Sequence, residues 1–280
     1  MAFMASEEKL FHEAIRAAPD DDAPRLMLAD WLLEQGDVRG EFIQVQCELE
    51  RTPAGDPRRA ELVNRDVRLR ERHGWRWKDP VRHLNVTSVD FRRGFIEHVH
   101  MRAMFFLREA EQLFEACPTL RSVKLSIGNT DIRAIAKSAS LSRVSRLDLT
   151  STSITDHVLD ALLESPHLKQ LEELDLSLNA LRTGGAKALA STNALPNLKT
   201  LKLYTNHLGA EGTAELLSPN LAGLESLDLG MNAVGPTGAR ALADSPHLAN
   251  LERLFLSGHE FDDEAKHRLR QRFGSRLQLY

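Results

Sequence analysis

The feature that most constrains this chain is a repeat. Aligned on the pattern L-x-x-L-x-L-x-x-N-x-L, the first apolar position recurs at Leu120, Val144, Leu171, Leu198, Leu224 and Leu251, in steps of 24, 27, 27, 26 and 27 residues. A fixed period of roughly 20 to 50 residues decides the architecture before any local assignment does, and six units fill the chain from Leu120 onward. The clearest three read Leu171-Leu174-Leu176-Asn179-Leu181, Leu198-Leu201-Leu203-Asn206-Leu208 and Leu224-Leu227-Leu229-Asn232-Val234. The second half of each unit repeats as well. Gly185, Gly212, Gly238 and Ala265 stand four residues after the last apolar position, and Leu189, Leu216, Leu242 and Leu269 four later.

Those periods predict the structure of one unit. Alternation around Leu174 and Leu176 turns both leucines one way and Glu173, Asp175 and Ser177 the other, as a short strand requires. The change to period four places Gly185 and Leu189 on one face of a helix, where the small residue allows close approach to the strand. A single unit cannot bury both faces. Stacked units give parallel strands on the inside and helices on the outside, with the leucines between them. The asparagine at the strand exit (Asn179, Asn206, Asn232) carries both a donor and an acceptor, which suits it to satisfy turn backbone rather than to do chemistry.

On these residues the chain from Leu120 onward resembles leucine-rich repeats of the long, ribonuclease-inhibitor-like class. The match loosens at the ends: Thr152 and His259 take the asparagine position, and the first unit, Leu120 to Ile132, needs a one-residue insertion around Gly128-Asn129. The resemblance implies a curved scaffold that binds other proteins on its concave face and is not an enzyme.

Two segments precede the repeats. Residues 79–119 read as an N-terminal cap: Val86 to Met101 alternates around Arg92-Arg93-Gly94 as a hairpin, and Ala103 to Ala116 has Phe106, Leu107, Ala110, Leu113 and Phe114 at helical spacing before Pro118. A solenoid end needs such a cover. Residues 1–78 read as a small all-α module, with Ser6 capping a helix that runs to Arg16. A second helix starts at Asp20-Asp21-Asp22 and Pro24 and ends at Gly36, and a third carries the stripe Val38, Phe42, Val45 and Leu49. The string Pro19-Asp20-Asp21-Asp22-Ala23-Pro24-Arg25-Leu26, with Ala29-Asp30-Trp31-Leu32, Gly36-Asp37 and Glu41-Phe42-Ile43-Gln44-Val45-Gln46, resembles a short bacterial module called the repeat-companion domain, which implies no particular chemistry. The predicted fold is therefore α/β: a leucine-rich repeat solenoid at 120–280, preceded by the helical module and the cap.

Composition narrows the function classes. At 42% apolar and 27% charged the chain is of globular type. Its net charge of −4 arises wholly within the first 80 residues, which hold 17 acidic and 13 basic side chains. That balance argues against a dedicated nucleic-acid binder. Two cysteines, Cys47 and Cys117, with no apolar leader and no membrane-length apolar run, suggest a monomer in the cytoplasm.

Several constellations could carry chemistry. Asp20, Asp21, Asp22 and Asp30 could gather a divalent metal, yet acids ahead of a prolyl helix start suit the helix dipole alone. His98 and His100 share a strand face without an evident third ligand. His167 and His247 occupy equivalent Pro-His-Leu positions too far apart to share an ion. The basic run Arg58, Arg59, Arg65, Arg68, Arg70, Arg72, Arg76 and Lys78, with Trp75 and Trp77, has a nucleic-acid flavour that Glu61, Asp66 and Glu71 dilute. No phosphate loop, nucleophile elbow or metal-ligand cysteine pair occurs, and no cofactor or metal is expected.

The expected role is thus a non-catalytic scaffold that binds a protein partner. The alternative is a regulator or targeting subunit whose N-terminal module carries chemistry or holds nucleic acid. The expected binding face comprises Lys124, Arg146, Asp148, Glu173, Asp175, Lys202, Tyr204, Asp228, Met231, Arg253 and Phe255. Tyr204, Met231 and Phe255 stand out as its apolar members, unless the C-terminal segment from Phe273 to Tyr280 covers Phe255.

Overall fold

The structure is a computed structural model that describes residues 2–128, 131–258 and 260–279, with side chains from residue 7 onward. The asparagine-position His259, the insertion residue Asn129, the terminal Tyr280 and the Ser6 side chain lie outside the described residues. The chain divides into two compact units, one of Met1–Met101 with Glu109–Arg121 and one of Arg102–Arg108 with Ser122–Tyr280.

The first unit opens with four helices, α1 (Ala2–Ala17), α2 (Ala23–Glu34), α3 (Arg39–Arg51) and α4 (Arg58–Trp77). Helix α1 starts at Ala2, ahead of the expected cap at Ser6. Pro24 sits in the first turn of α2, where its missing amide costs nothing, and Gly36 beyond its end takes φ +74°. The stripe of α3 buries Phe42 and Val45 with Leu62, Leu69 and Trp77, and the Phe42 and Trp77 rings stack 4.3 Å apart.

An antiparallel hairpin follows, β1 (Val86–Arg92) and β2 (Phe95–Arg102), then helix α5 (Ala103–Ala116). Phe95 lies in one core with Ile15, Leu28, Leu32 and Ile43, while Phe91 packs against the core around Phe42. Gly94 in the hairpin turn has φ +84°, and a Cβ there would fall 2.2 Å from Ile43 Cγ1, so only glycine lets the turn rest on α3. The boundary expected between residues 78 and 79 is therefore not a boundary between compact units. The hairpin shares its core with α1 to α4, and the division falls around residues 101 to 122.

Charge is buried here too. Arg25, 0% exposed, donates from Nη2 to Glu97 Oε1 at 2.7 Å and from Nη1 to the Asp21 carbonyl at 3.1 Å. Arg93 lies 3.3 Å from Asp22 and 3.7 Å from Glu97, Arg51 takes the other Asp22 oxygen at 2.8 Å, and Arg121 takes Asp20 at 2.9 Å. The acidic run ahead of α2 is a set of arginine partners, three of its ion pairs reaching residues some 70 to 100 positions along the chain.

In the second unit the strands are β3 (Ser122–Ser126), β4 (Arg146–Asp148), β5 (Glu173–Asp175), β6 (Thr200–Lys202), β7 (Ser226–Asp228), β8 (Arg253–Phe255) and β9 (Leu277–Gln278). All pair in parallel with the next in order. Between them run α6 (Ile132–Ala136), α7 (Asp156–Leu163), α8 (Thr183–Ser191), α9 (Gly209–Glu215), α10 (Gly235–Asp244) and α11 (Asp263–Phe273), each packed on the next. The leucines of the repeat pattern from Leu120 to Leu256 are buried between the two rows. Gly185, Gly212 and Gly238 are buried on the inner helix faces, and a Cβ at Gly212 would stand 3.3 Å from the Thr183 Cα of the previous helix. Each helix ends in a turn; at three of them a serine precedes a proline, and the Ser218 hydroxyl donates to the Ala190 carbonyl of the preceding unit at 2.7 Å. The His167 and His247 amides donate to the Ser165 and Ser245 hydroxyls, which explains the repeated Ser-Pro-His.

Candidate protein-binding surface

The strand register sets one column of side chains, Lys124, Asp148, Asp175, Lys202, Asp228 and Phe255, directly beside one another on neighbouring strands. All six are half-buried. A second column, two residues earlier, holds Arg146 and Glu173, half-buried, and Arg253, exposed. Charges along the face satisfy each other: Lys124 Nζ is 3.1 Å from Asp148 Oδ2, and Lys202 bonds Glu173 and lies 3.9 Å from Asp175.

The aspartates also hold the backbone. One oxygen of Asp148, Asp175 and Asp228 accepts the amide of the residue two further on, Thr150, Ser177 and Gly230, at 2.8 to 2.9 Å. This closes the turn at each strand exit. Burial alone would raise the Asp148 carboxyl, but the Thr150 hydroxyl and amide and the Lys124 ammonium reverse this and hold it below its ordinary value. Burial would likewise lower Lys202, and Glu173 with Asp175 and Asp148 overrides it upward. A carboxyl depressed on folding stabilises above its unfolded pKa, near ~4, and that stability fades as pH falls through the folded value. Replacing Thr150 by valine is expected to move the Asp148 midpoint upward in a carboxyl-carbon NMR titration. An unmoved midpoint would assign the shift to the residue-150 amide and Lys124, without the hydroxyl.

Beyond the strand ends the chain turns sharply. Ser151, Leu178, Thr205, Met231 and Gly258, one from each of five units, all take φ between 53° and 72°. Such a backbone suits glycine and is unfavourable for leucine, methionine and above all β-branched threonine. The turn throws Leu178 and Met231 outward, 47% and 48% exposed, with Tyr204 between them at 38%. Two glycines make room. A Cβ at Gly230 would lie 2.8 Å from the Tyr204 ring, and one at Gly258 would lie 2.0 Å from Met231 Sδ. The three apolar side chains thus stand on three consecutive units, just beyond the ends of β5, β6 and β7.

Phe255 is not among the exposed apolar residues. Gln278 of β9 pairs beside it, so the C-terminal segment extends the sheet and Phe255 is half-buried next to it. Leu178 takes its place in the apolar group. Alternation alone would send Leu178 inward with Leu176, and the positive φ is what reverses it.

The asparagines join the layers. Asn206 Nδ2 donates to the Leu176 and Leu203 carbonyls at 2.9 and 3.0 Å, and its Oδ1 accepts the Leu181 amide at 3.0 Å. Asn179 and Asn232 repeat the pattern one unit before and after.

Elsewhere the sequence candidates become structural. Trp77 is buried, and Arg58, Arg65 and Arg70 pair with Asp56, Glu41 and Asp66, while Arg59 caps the Leu49 and Thr52 carbonyls. Among the described residues no group of three His, Cys, Asp or Glu could hold a metal ion. His98 and His100 lie on β2 of the first unit. Burial pushes the Cys47 and Cys117 thiols up to about 12, which removes the thiolate that redox chemistry needs. No helix among the described residues is long and apolar enough to cross a membrane.

By sequence the chain matches no curated protein. A family model described as Leucine Rich repeat matches residues 167–190 and 224–243. Among solved structures, the chain is similar to an internalin from Listeria monocytogenes at 22% identity and a TM-score of 0.38, over 61% of this chain and 42% of that one. It is also similar to a protein from Bacteroides fragilis at 16% identity and a TM-score of 0.42, over 66% of this chain and 67% of that one. The chain spans less than half of the internalin. The matched stretches are thus leucine-rich repeats, and the leucines, strand register and asparagine bonds of those units recur in their neighbours.

Proposed function

We propose that the protein is a non-catalytic binding protein whose strand face grips a protein partner, with Leu178, Tyr204 and Met231 as anchors. Leucine-rich repeat proteins generally mediate protein–protein interactions. The observation that carries the reading is the placement of two large apolar side chains at φ 57° and 56°, exposed, on either side of Tyr204. Folding gains little from a leucine that is both strained and wet, so its place there fits a contact made on binding. Aromatic and apolar anchors ringed by polar groups concentrate binding energy, and truncating one costs about 2 kcal/mol or more.

The test is affinity capture from the source cell by the full-length protein and its variants, read by mass spectrometry beside thermal melting. Tyr204→Ala is expected to lower capture of the partner by about tenfold or more with no loss of melting temperature. Leu178→Asn is expected to lower capture while folding at least as stably, because asparagine tolerates the left-handed backbone that leucine resists. Undiminished capture by both variants would remove the strand face as the binding site.

A further inference from the structure

We propose that the open edge of β1, with the groove beside Trp75, takes an extended acidic segment of another protein as an added strand. This surface belongs to the first unit and is independent of the strand face. Strand β1 pairs on one side with β2, and on its other side stands at the end of the strand order among the described residues. It carries no proline, and its sequence Val86-Thr87-Ser88-Val89-Asp90-Phe91-Arg92 is of strand-forming type. Such an edge is a template for another chain unless it is covered or blunted. Irregular register between Val86 and Ser88 and between Asp90 and Phe91 restricts regular pairing to a short stretch around Val89, so a visiting strand needs a side-chain anchor as well.

The groove supplies the anchor. It has a volume of about 230 Å³, with Val81 and Leu84 buried beneath it, Val86 to Val89 along one wall and Trp75 on another. Trp75 is 69% exposed at the end of α4, although its neighbour Trp77 is wholly engaged in the core. An indole held in water beside an open strand edge has no folding role that accounts for it, and tryptophan is among the residues most often found to anchor interfaces. The charges on the lining are Lys78 and Arg82, with no acid among them. Of the acids close by in the chain or bonded to it, Asp79 meets Arg82 in a loose surface pair at 3.9 Å, Glu109 is taken up by the Asn85 main-chain and side-chain amides at 2.8 and 2.7 Å, and Asp90 follows Val89 on β1.

Charge and geometry together specify the occupant. Main-chain N–H and C=O groups along an edge bind a backbone in extended form, which is peptide chemistry. The cationic rim favours carboxylates flanking one apolar side chain in the groove. A second copy of the chain would bring the same cations face to face. Nucleic acid would meet the rim but leave the edge amides unpaired.

The experiment uses the full-length protein to select from a displayed library of random decapeptides, with a fluorescent twelve-nucleotide polyuridine as a separate probe. The selected peptides are expected to alternate apolar residues with Glu or Asp, and to bind at least tenfold more weakly when those acids are replaced by Lys. Trp75→Ala and the double variant Lys78→Glu/Arg82→Glu, exposed changes checked by circular dichroism, are each expected to weaken binding at least tenfold. Tyr204→Ala should leave it unchanged, which separates this surface from the strand face. Bound peptide should slow amide hydrogen exchange at Thr87 to Val89. Selection of neutral or basic peptides or of none, unchanged binding by both variants, tighter binding of the polyuridine than of any peptide, or protection of Thr87 to Val89 by self-association alone would each overturn the proposal.

Discussion

Replacing Arg25 by methionine is expected to destabilise the N-terminal unit by about 3 to 5 kcal/mol. The guanidinium is fully buried and its main partner, Glu97, is 3% exposed, so the variant leaves a carboxylate in the interior with only Arg93 at 3.7 Å and Arg92 at 4.0 Å to answer it. The effect is large because one charge is stranded, not because the pair itself contributes much. A buried pair replaced by apolar groups of similar volume is often neutral. Adding Glu97→Leu to Arg25→Met should therefore recover most of the loss, and a double variant as unstable as the single would refute the ion-pair account. The measurement is direct. All three tryptophans, Trp31, Trp75 and Trp77, lie in this unit, so their emission during urea unfolding follows it and not the repeats.

In the repeats the largest effect is expected at Asn206. Alanine there removes three hydrogen bonds and leaves the buried Leu181 amide without its acceptor, at a cost of about 3 kcal/mol. Aspartate should be worse than alanine. It keeps the acceptor for Leu181 but turns an ionised oxygen toward the Leu176 and Leu203 carbonyls in a site 3% exposed. Far-UV circular dichroism during urea unfolding gives the order wild type, alanine, aspartate. If aspartate unfolds no earlier than alanine, the two donated bonds are unimportant.

The repeats were legible because their physics is local and periodic. Leucines two apart must share a face of a strand, a small residue four beyond the last must face a neighbour, and one mismatch would be outvoted by the other units. The strand face was legible as far as alternation holds, which placed Tyr204 and Lys202 but said nothing of Leu178. Its exposure depends on a left-handed residue after the strand, and a leucine at that position carries no glycine-like signal. Phe255 turned on whether the C-terminal segment reaches it: the two-residue β9 is too short to show a pattern, yet it pairs beside Phe255 and moves the sheet edge past β8. The N-terminal unit was the least legible. The aspartates before Pro24 read as a helix start by themselves, whereas their partners Arg93 and Arg121 lie some 70 and 100 residues along the chain and bear no spacing to them. The same distance hid the docking of Phe95 on Ile43, and so placed the division at a turn near Asp79-Pro80 that the hairpin core in fact spans.

The asparagine bonds have a bearing on how such a chain can vary. The Leu176 carbonyl is served by Asn179 of its own layer and Asn206 of the next, and the Leu203 carbonyl by Asn206 and Asn232 in the same way. The layers of β5, β6 and β7 therefore offer their neighbours the same socket and the same plug. A block of one period cut out or copied in phase would rejoin identical fittings, with no new orphan at the seam. Length is then an adjustable quantity, changing in increments of about 4.8 Å of sheet. An ancestor with three layers and a descendant with eight could share one joint, each wide enough for a different guest.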